Sequence, residues 1–196
     1  MEEISNRLRE IVEANERKRK GQKLSQHEQR EIENSYVLDF AKANNLWVDD
    51  IYSLGNPTGL KGNESTILVD PLLNFVFKVN DLSNVKFLIS NLLNQVKSHN
   101  QLFPETRYDL VGFTGFDNGK NRAPYIEVIL RQDLVKEAIQ ASTQEIIDFM
   151  ESLNFVRITD TSFSNSEYTV SDLYPRNVLK DNNGIIYVVD NIISKH

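Results

Sequence analysis

Apolar residues along this chain recur with two different periods, and the switches between them mark out its elements. Val85, Leu88, Ile89, Leu92, Leu93 and Val96 repeat every three or four positions, which predicts an amphipathic helix over Ser83 to His99. Ser25-Gln-His-Glu28 and Ser142-Thr-Gln-Glu145 each place a hydroxyl three residues ahead of a carboxylate, the reciprocal pattern that caps a helix N-terminus. The first opens a helix running to about Ala43, and the second a short helix carrying Ile146, Ile147, Met150 and Leu153. Glu3 to Arg19 has only sparse apolar positions, Ile4, Leu8, Ile11 and Val12, and ends in the basic cluster Arg17 to Lys23. Alternation with period two appears in Asn74-Phe-Val-Phe-Lys78-Val79, and the turn Gly59 to Gly62 precedes a strand through the apolar run Ile67-Leu68-Val69. Asp109 to Phe116 and Pro124 to Leu130 read as paired strands across a polar turn at Asp117 to Arg122, and Leu153 to Ile158 and Tyr168 to Val170 as short strands.

One further hairpin carries the chemistry. Val178-Leu-Lys180 and Ile185 to Val189 flank Asp181-Asn-Asn-Gly184, whose Asn and Gly suit the positive φ angles of a tight turn. Such a hairpin returns Asn177 and Asp190 to the same end. Pro175 discourages helix and central strand around itself, so Asp172 to Asn177 is expected to be a rigid loop. Two carboxylates and a carboxamide gathered this way suit phosphoryl transfer, which needs a carboxylate near an attacking hydroxyl and oxygen ligands for Mg²⁺ across nucleotide phosphates.

Asp172-Leu-Tyr-Pro-Arg-Asn177, the hairpin and Asp190 together resemble the catalytic and metal-binding loops of the protein-kinase-like superfamily. They are similar to the D-L-K-P-x-N of protein kinases and the D-L-x-P-x-N of aminoglycoside and choline kinases. The resemblance implies that Asp172 is the catalytic Asp, that Asn177 and Asp190 are metal ligands, and that ATP and Mg²⁺ are the cofactors. Lys78 would stand where the V-A-I-K lysine holds phosphate, although a strand Lys beside aromatics can also be a surface residue. Gly62 and Glu64 fall in the turn expected to cover the phosphates, with Glu64 a substitute partner for Lys78. Arg131 to Leu134 would be the hinge whose backbone meets adenine.

The implied fold is α+β and kinase-like. It comprises an N-terminal helical segment (1–48), an antiparallel N-lobe sheet (49–130) and a reduced C-lobe (131–196). Departures from the family are specific. Val170-Ser171 precedes Asp172 in place of the motif containing the buttressing His, and Asn191-Ile192 follows Asp190 in place of Phe-Gly or Trp. The Ser83 to His99 helix has no acidic residue to pair with Lys78, and the G-x-G-x-x-G pattern is missing. The chain also ends six residues after Asp190, without the activation segment and large helical part of the family's C-lobe. This is similar to the minimal kinase-like modules of bacterial mobile elements and phage polyvalent proteins. Two readings follow: an ATP/Mg²⁺-dependent phosphotransferase of unknown acceptor, or a catalytically inactive kinase-like module working through protein contacts.

Composition narrows the class without choosing between them. With 196 residues and 40% apolar content, the chain can bury a core as one domain or a small two-lobed unit. The formal net charge of -6 gives a field that does not favour polyanions, so the basic cluster reads as a solvated linker and nucleic acid is not an expected partner. The absence of cysteine excludes disulfides and thiolate metal sites, and no zinc-type spacing links His27, His99 and His196. No signal peptide or apolar span is visible, so a cytoplasmic protein without membrane contact is expected.

Overall fold

The computed structural model describes residue 6 and residues 25–61, 65–70, 72–86, 88–116 and 124–196. Gly62, Glu64, the basic cluster before residue 24 and the turn at 117–122 lie outside them. The fold is mixed α+β with antiparallel sheets. The chain divides into two compact units, residues 1–94 with 108–133, and residues 95–107 with 134–196.

In the first unit, helix α1 (Gln26–Ala43) begins where its capping box predicts, with Ser25 and Glu28 bonded reciprocally. Its buried side chains Glu33, Asn34, Val37, Leu38 and Ala41 lie along one face. Asn34 extends that face's contacts, donating from Nδ2 to the Pro124 carbonyl at 2.9 Å. Strands β1 (Asn56–Lys61), β2 (Ser65–Asp70), β3 (Phe75–Asn80), β4 (Asp109–Phe116) and β5 (Tyr125–Asp133) form an antiparallel sheet in the order β1-β2-β3-β5-β4. Strand alternation sends Phe77, Val79, Ile129 and Leu68 into one core cluster, against which Val48, Ile51 and Leu54 pack. A bulge between Leu110 and Gly112 on β4 accompanies the close passage of the Leu46–Val48 segment. A Cβ at Gly112 would lie 2.4 Å from the Leu46 carbonyl oxygen, so only glycine fits there without backbone movement.

Helix α2 (Ile89–Leu102) starts later than its apolar periodicity predicts. Ser83–Val85 is instead a single 3-10 turn, flanked by Leu82 at φ 66° and Lys86 at φ 58°. The cause is local. Asn80 Oδ1 accepts from the Leu82 N–H at 2.8 Å and Asp81 Oδ1 from the Ser83 N–H at 2.9 Å, and such Asx turns compete with helical bonding. The missing acidic residue at the α2 N-terminus is supplied from α1. Glu33 accepts from Ser90 Oγ at 2.5 Å and from the Ser90 N–H at 3.3 Å, a favourable place for negative charge.

The second unit is built on helix α3 (Thr143–Ser152), again opened by its predicted capping box, here Ser142 with Glu145. Strands β6 (Ile139–Gln140), β7 (Val156–Thr159), β8 (Ser162–Ser164), β9 (Tyr168–Ser171), β10 (Val178–Lys180), β11 (Ile186–Val188) and β12 (Ile192–Lys195) follow. They form two antiparallel sheets, β11-β10-β6 and β12-β9-β8-β7. Ile146, Ile147 and Met150 of α3 meet Phe103, Phe155, Phe163, Val170, Leu173, Val178 and Val188 in one core.

Candidate functional site

Three of the sequence-selected residues come together in the second unit, and strand register is what gathers them. Val178 pairs with Val188 across β10 and β11, leaving Asn177 and Val189 side by side at the open end of that hairpin. Ser171 pairs with Ile192 across β9 and β12, so Asp172 leaves one strand where the chain carrying Asp190 enters the other. Backbone bonds join the two arrangements: the Asn177 carbonyl accepts from the Val189 N–H at 2.9 Å and the Asp190 N–H at 3.4 Å. Pro175–Asn177 forms one 3-10 turn with proline at its start, where a missing N–H carries no penalty.

Asp172 and Asn177 are directly bonded. The buried carboxamide of Asn177 donates from Nδ2 to both the Asp172 carbonyl and its carboxylate Oδ2, each at 2.8 Å. This anchors an unusual backbone, since Asp172 sits at φ 64°, a region in which non-glycine residues are held only by their surroundings. The Tyr174 N–H donates to the Asp172 carbonyl at 2.9 Å, and the Leu173 N–H to the Thr161 carbonyl at 3.1 Å. Arg176 stands on the solvent side with Nη2 3.6 Å from Asp172 Oδ1, its guanidinium over the Tyr174 ring at 4.4 Å. Asp190 is exposed, and its Oδ1 accepts from the Asn191 N–H at 3.1 Å.

The turn behind this site is held by its own carboxylate. Asp181 Oδ1 accepts from the Asn183 and Ile185 N–H groups, each at 2.9 Å, while Gly184 takes φ 81°. The Ile185 backbone bond, followed by those from Asn183, holds the Asp181 carboxyl below its ordinary range. On the far side of β10, Lys180 pairs with Glu145. That pair, with the two bonds from Ser142, draws the Glu145 carboxyl down to about 2.

Lys78 lies on β3 in the first unit, half-buried, with Leu130 its register partner on β5. Its ammonium donates to the Tyr108 hydroxyl at 2.7 Å and lies 5.0 Å from the Tyr108 ring centroid. Sequence reasoning offered Glu64 as its partner and missed this phenol thirty positions downstream. It also missed His99. That residue is 2% exposed, and it bonds to Thr106 and to Asn191, the neighbour of Asp190. Only its spacing on the apolar face of α2 hinted at burial.

The donor set fits Mg²⁺. Among the described residues no group of three or more His, Cys, Asp or Glu could hold a metal by itself. Mg²⁺ in phosphotransferases is held by one or two protein oxygens completed by substrate phosphates, and the exposed Asp190 carboxylate and the Asn177 carboxamide, on residues joined through their backbones, are oxygen donors of that kind. With Nδ2 of Asn177 turned to Asp172, its Oδ1 necessarily points the other way.

A family model described as serine/threonine/tyrosine kinase found in polyvalent proteins matches residues 30–196. The chain therefore belongs to that kinase family. No curated protein and no solved structure matches it.

Proposed function

We propose that the protein is an ATP- and Mg²⁺-dependent phosphotransferase in which Asp172 takes the proton of the acceptor hydroxyl. The observation that carries this reading is the gathering of Asp172, Asn177 and Asp190 at one end of the paired strands β9–β12 and β10–β11, in a chain of a kinase family. In the reaction the acceptor oxygen bonds to the γ-phosphorus, the bridging oxygen–phosphorus bond breaks, ADP leaves with that electron pair, and the hydroxyl proton passes to the Asp172 carboxylate. Asn177 Oδ1 and the Asp190 carboxylate would hold Mg²⁺, which when bound would supply positive charge against the phosphates. By the resemblance Lys78 is the proposed phosphate-binding lysine of the first unit, and Arg176 places a cation beside Asp172 in the second.

Asn177 serves twice in this account. Its Nδ2 fixes the carboxylate that receives the proton, while its Oδ1 would be the atom offered to the metal. Orientation of this kind contributes through positioning, which with electrostatics supplies most of the acceleration in phosphoryl transfer.

Water can stand in for the unknown acceptor, so slow release of ADP and phosphate from ATP tests the proposal. Asp172→Asn should lower turnover about a hundredfold or more while leaving nucleotide affinity within about threefold of wild type. Equal turnover by wild type and Asp172→Asn would remove Asp172 from the chemistry. One observation favours the second reading, a non-catalytic kinase-like module: Val170-Ser171 precedes Asp172 in place of the motif containing the buttressing His. That reading predicts no turnover in either protein.

A further inference from the structure

Resting on that reading, we infer that His99, as a neutral imidazole protonated on Nε2, is the positioning residue of the loop that presents Asp190. Its ring is buried in the second unit, 5.4 Å from the Phe103 ring. Nε2 lies 2.9 Å from the Thr106 carbonyl oxygen. A carbonyl can only accept, so Nε2 carries the proton. Asn191 Nδ2, which can only donate, lies 3.1 Å from Nδ1, so Nδ1 accepts and the ring is neutral. Both contacts are satisfied by this one tautomer.

Thr106 completes the arrangement. Its hydroxyl donates to the Val188 carbonyl at 2.6 Å, and the residue is 3% exposed. The segment Val188–Asn191 is therefore held on both sides of Asp190: Thr106 grips Val188, two residues before it, and His99 grips Asn191, one residue after. The Asn177 carbonyl takes the N–H groups of Val189 and Asp190 between them. Every residue of the segment thus has a bond to a fixed partner, leaving the exposed Asp190 carboxylate at the end of a clamped backbone. The sequence carries no His beside Asp172 to steady these loops; the support comes instead from α2.

A His satisfied in a core merely for packing would bond just as well to any nearby backbone. What separates the two roles is the link to Asn191. Outer groups that orient a metal ligand typically alter metal affinity by ten- to a hundredfold, whereas a packing residue changes stability alone.

The test splits the two imidazole bonds. Gln at position 99 can place its amide donor near the Thr106 carbonyl but leaves Asn191 without an acceptor; Asn at 99 places an oxygen where Nδ1 was. Affinity for ATP is measured calorimetrically with and without Mg²⁺ for wild type, Asp190→Ala, His99→Gln, His99→Asn, Asn191→Ala and the double variant His99→Gln/Asn191→Ala. His99→Gln and Asn191→Ala should each weaken Mg²⁺-dependent binding about tenfold. His99→Asn should return to within about threefold of wild type, and the double variant should be no weaker than either single one. Without Mg²⁺ none of these proteins should bind ATP measurably. Should a His99 variant not fold, Asn191→Ala alone carries the test, because Asn191 is outside the core. The ¹⁵N shifts of His99 give a readout free of nucleotide and should report the Nε2–H tautomer. Wild-type affinity in His99→Gln or Asn191→Ala, loss as deep in His99→Asn as in His99→Gln, or an Nδ1–H tautomer would overturn this inference while leaving an Asp190 effect intact. Absence of Mg²⁺-dependent binding in the wild type would overturn it together with the phosphotransferase reading.

Discussion

Replacing Asn177 by Ala removes the bonds that hold Asp172 in place, and the size of the effect follows from the structure. Two bonds disappear, each 2.8 Å long, one to the Asp172 carbonyl and one to its carboxylate. The first is worth about 1 kcal/mol. The second has a charged acceptor, and because the Asp172 side chain is 33% exposed, about 1.5 kcal/mol, the low end for such bonds, applies. Releasing Asp172 from φ 64° recovers a fraction of the strain stored there, of order 1 kcal/mol. The net loss is about 2 kcal/mol, a fall in Tm of about 4–8 °C for a chain of this size. Urea unfolding of wild type, Asn177→Ala, Asp172→Ala and the double variant measures it as a cycle. Strain from Ala at position 172 enters two corners and cancels, so the coupling should isolate the carboxylate bond at about 1.5 kcal/mol. A coupling indistinguishable from zero, or an Asn177→Ala variant within about 0.5 kcal/mol of wild type, would refute the argument that this amide builds the loop.

Three other expectations concern ionisable groups in the two units. Glu145 is drawn from 4.5 down to about 2, first by Lys180 and then by Ser142; a depressed carboxylate stabilises the fold above its unfolded value and loses that contribution as pH falls through the folded one. The stability gap between wild type and Lys180→Met should therefore be full at pH 7 and shrink between about pH 4.5 and 2, and a gap independent of pH in urea titrations would contradict it. Glu127 is shifted the opposite way, raised chiefly by burial and only partly offset by the Tyr125 hydroxyl, so its ionisation opposes folding as pH rises through the folded value. Glu127→Gln should gain stability relative to wild type on going from pH 4 to pH 8, and a relative loss over that range in thermal melts would count against the assignment. Glu33→Ala deprives α2 of its borrowed N-terminal carboxylate and should cost about 1–2 kcal/mol, with faster amide exchange in the first turn of α2; unchanged exchange at Ser90 would show that the helix does not depend on α1.

Local chemistry was legible in the sequence wherever one element decided it. Both capping boxes form at the residues that announced them, and the Asp181–Gly184 turn joins the two strands that its flanking apolar runs define. The start of α2 was misplaced because apolar spacing is blind to Asx turns, so Leu82 and Lys86 adopt left-handed angles inside a periodic stretch. Asp172, Asn177 and Asp190 stand out through residue types at a fixed spacing, and hairpin register accounts for the nearness of Asn177 and Asp190 alone. Partners supplied by distant segments do not stand out in this way. Nothing near Lys78 points to Tyr108, and nothing near Asp190 points to His99, because such pairings depend on how elements pack rather than on local spacing.

The central claim is that these loops form a metal-dependent nucleotide site. Calorimetric titration of ATP into wild type and Asp190→Ala, each with and without Mg²⁺, tests it most directly. The account predicts that wild-type binding requires Mg²⁺ and weakens about tenfold or more in Asp190→Ala. Binding of equal strength in all four titrations, or none at millimolar ATP, would contradict it.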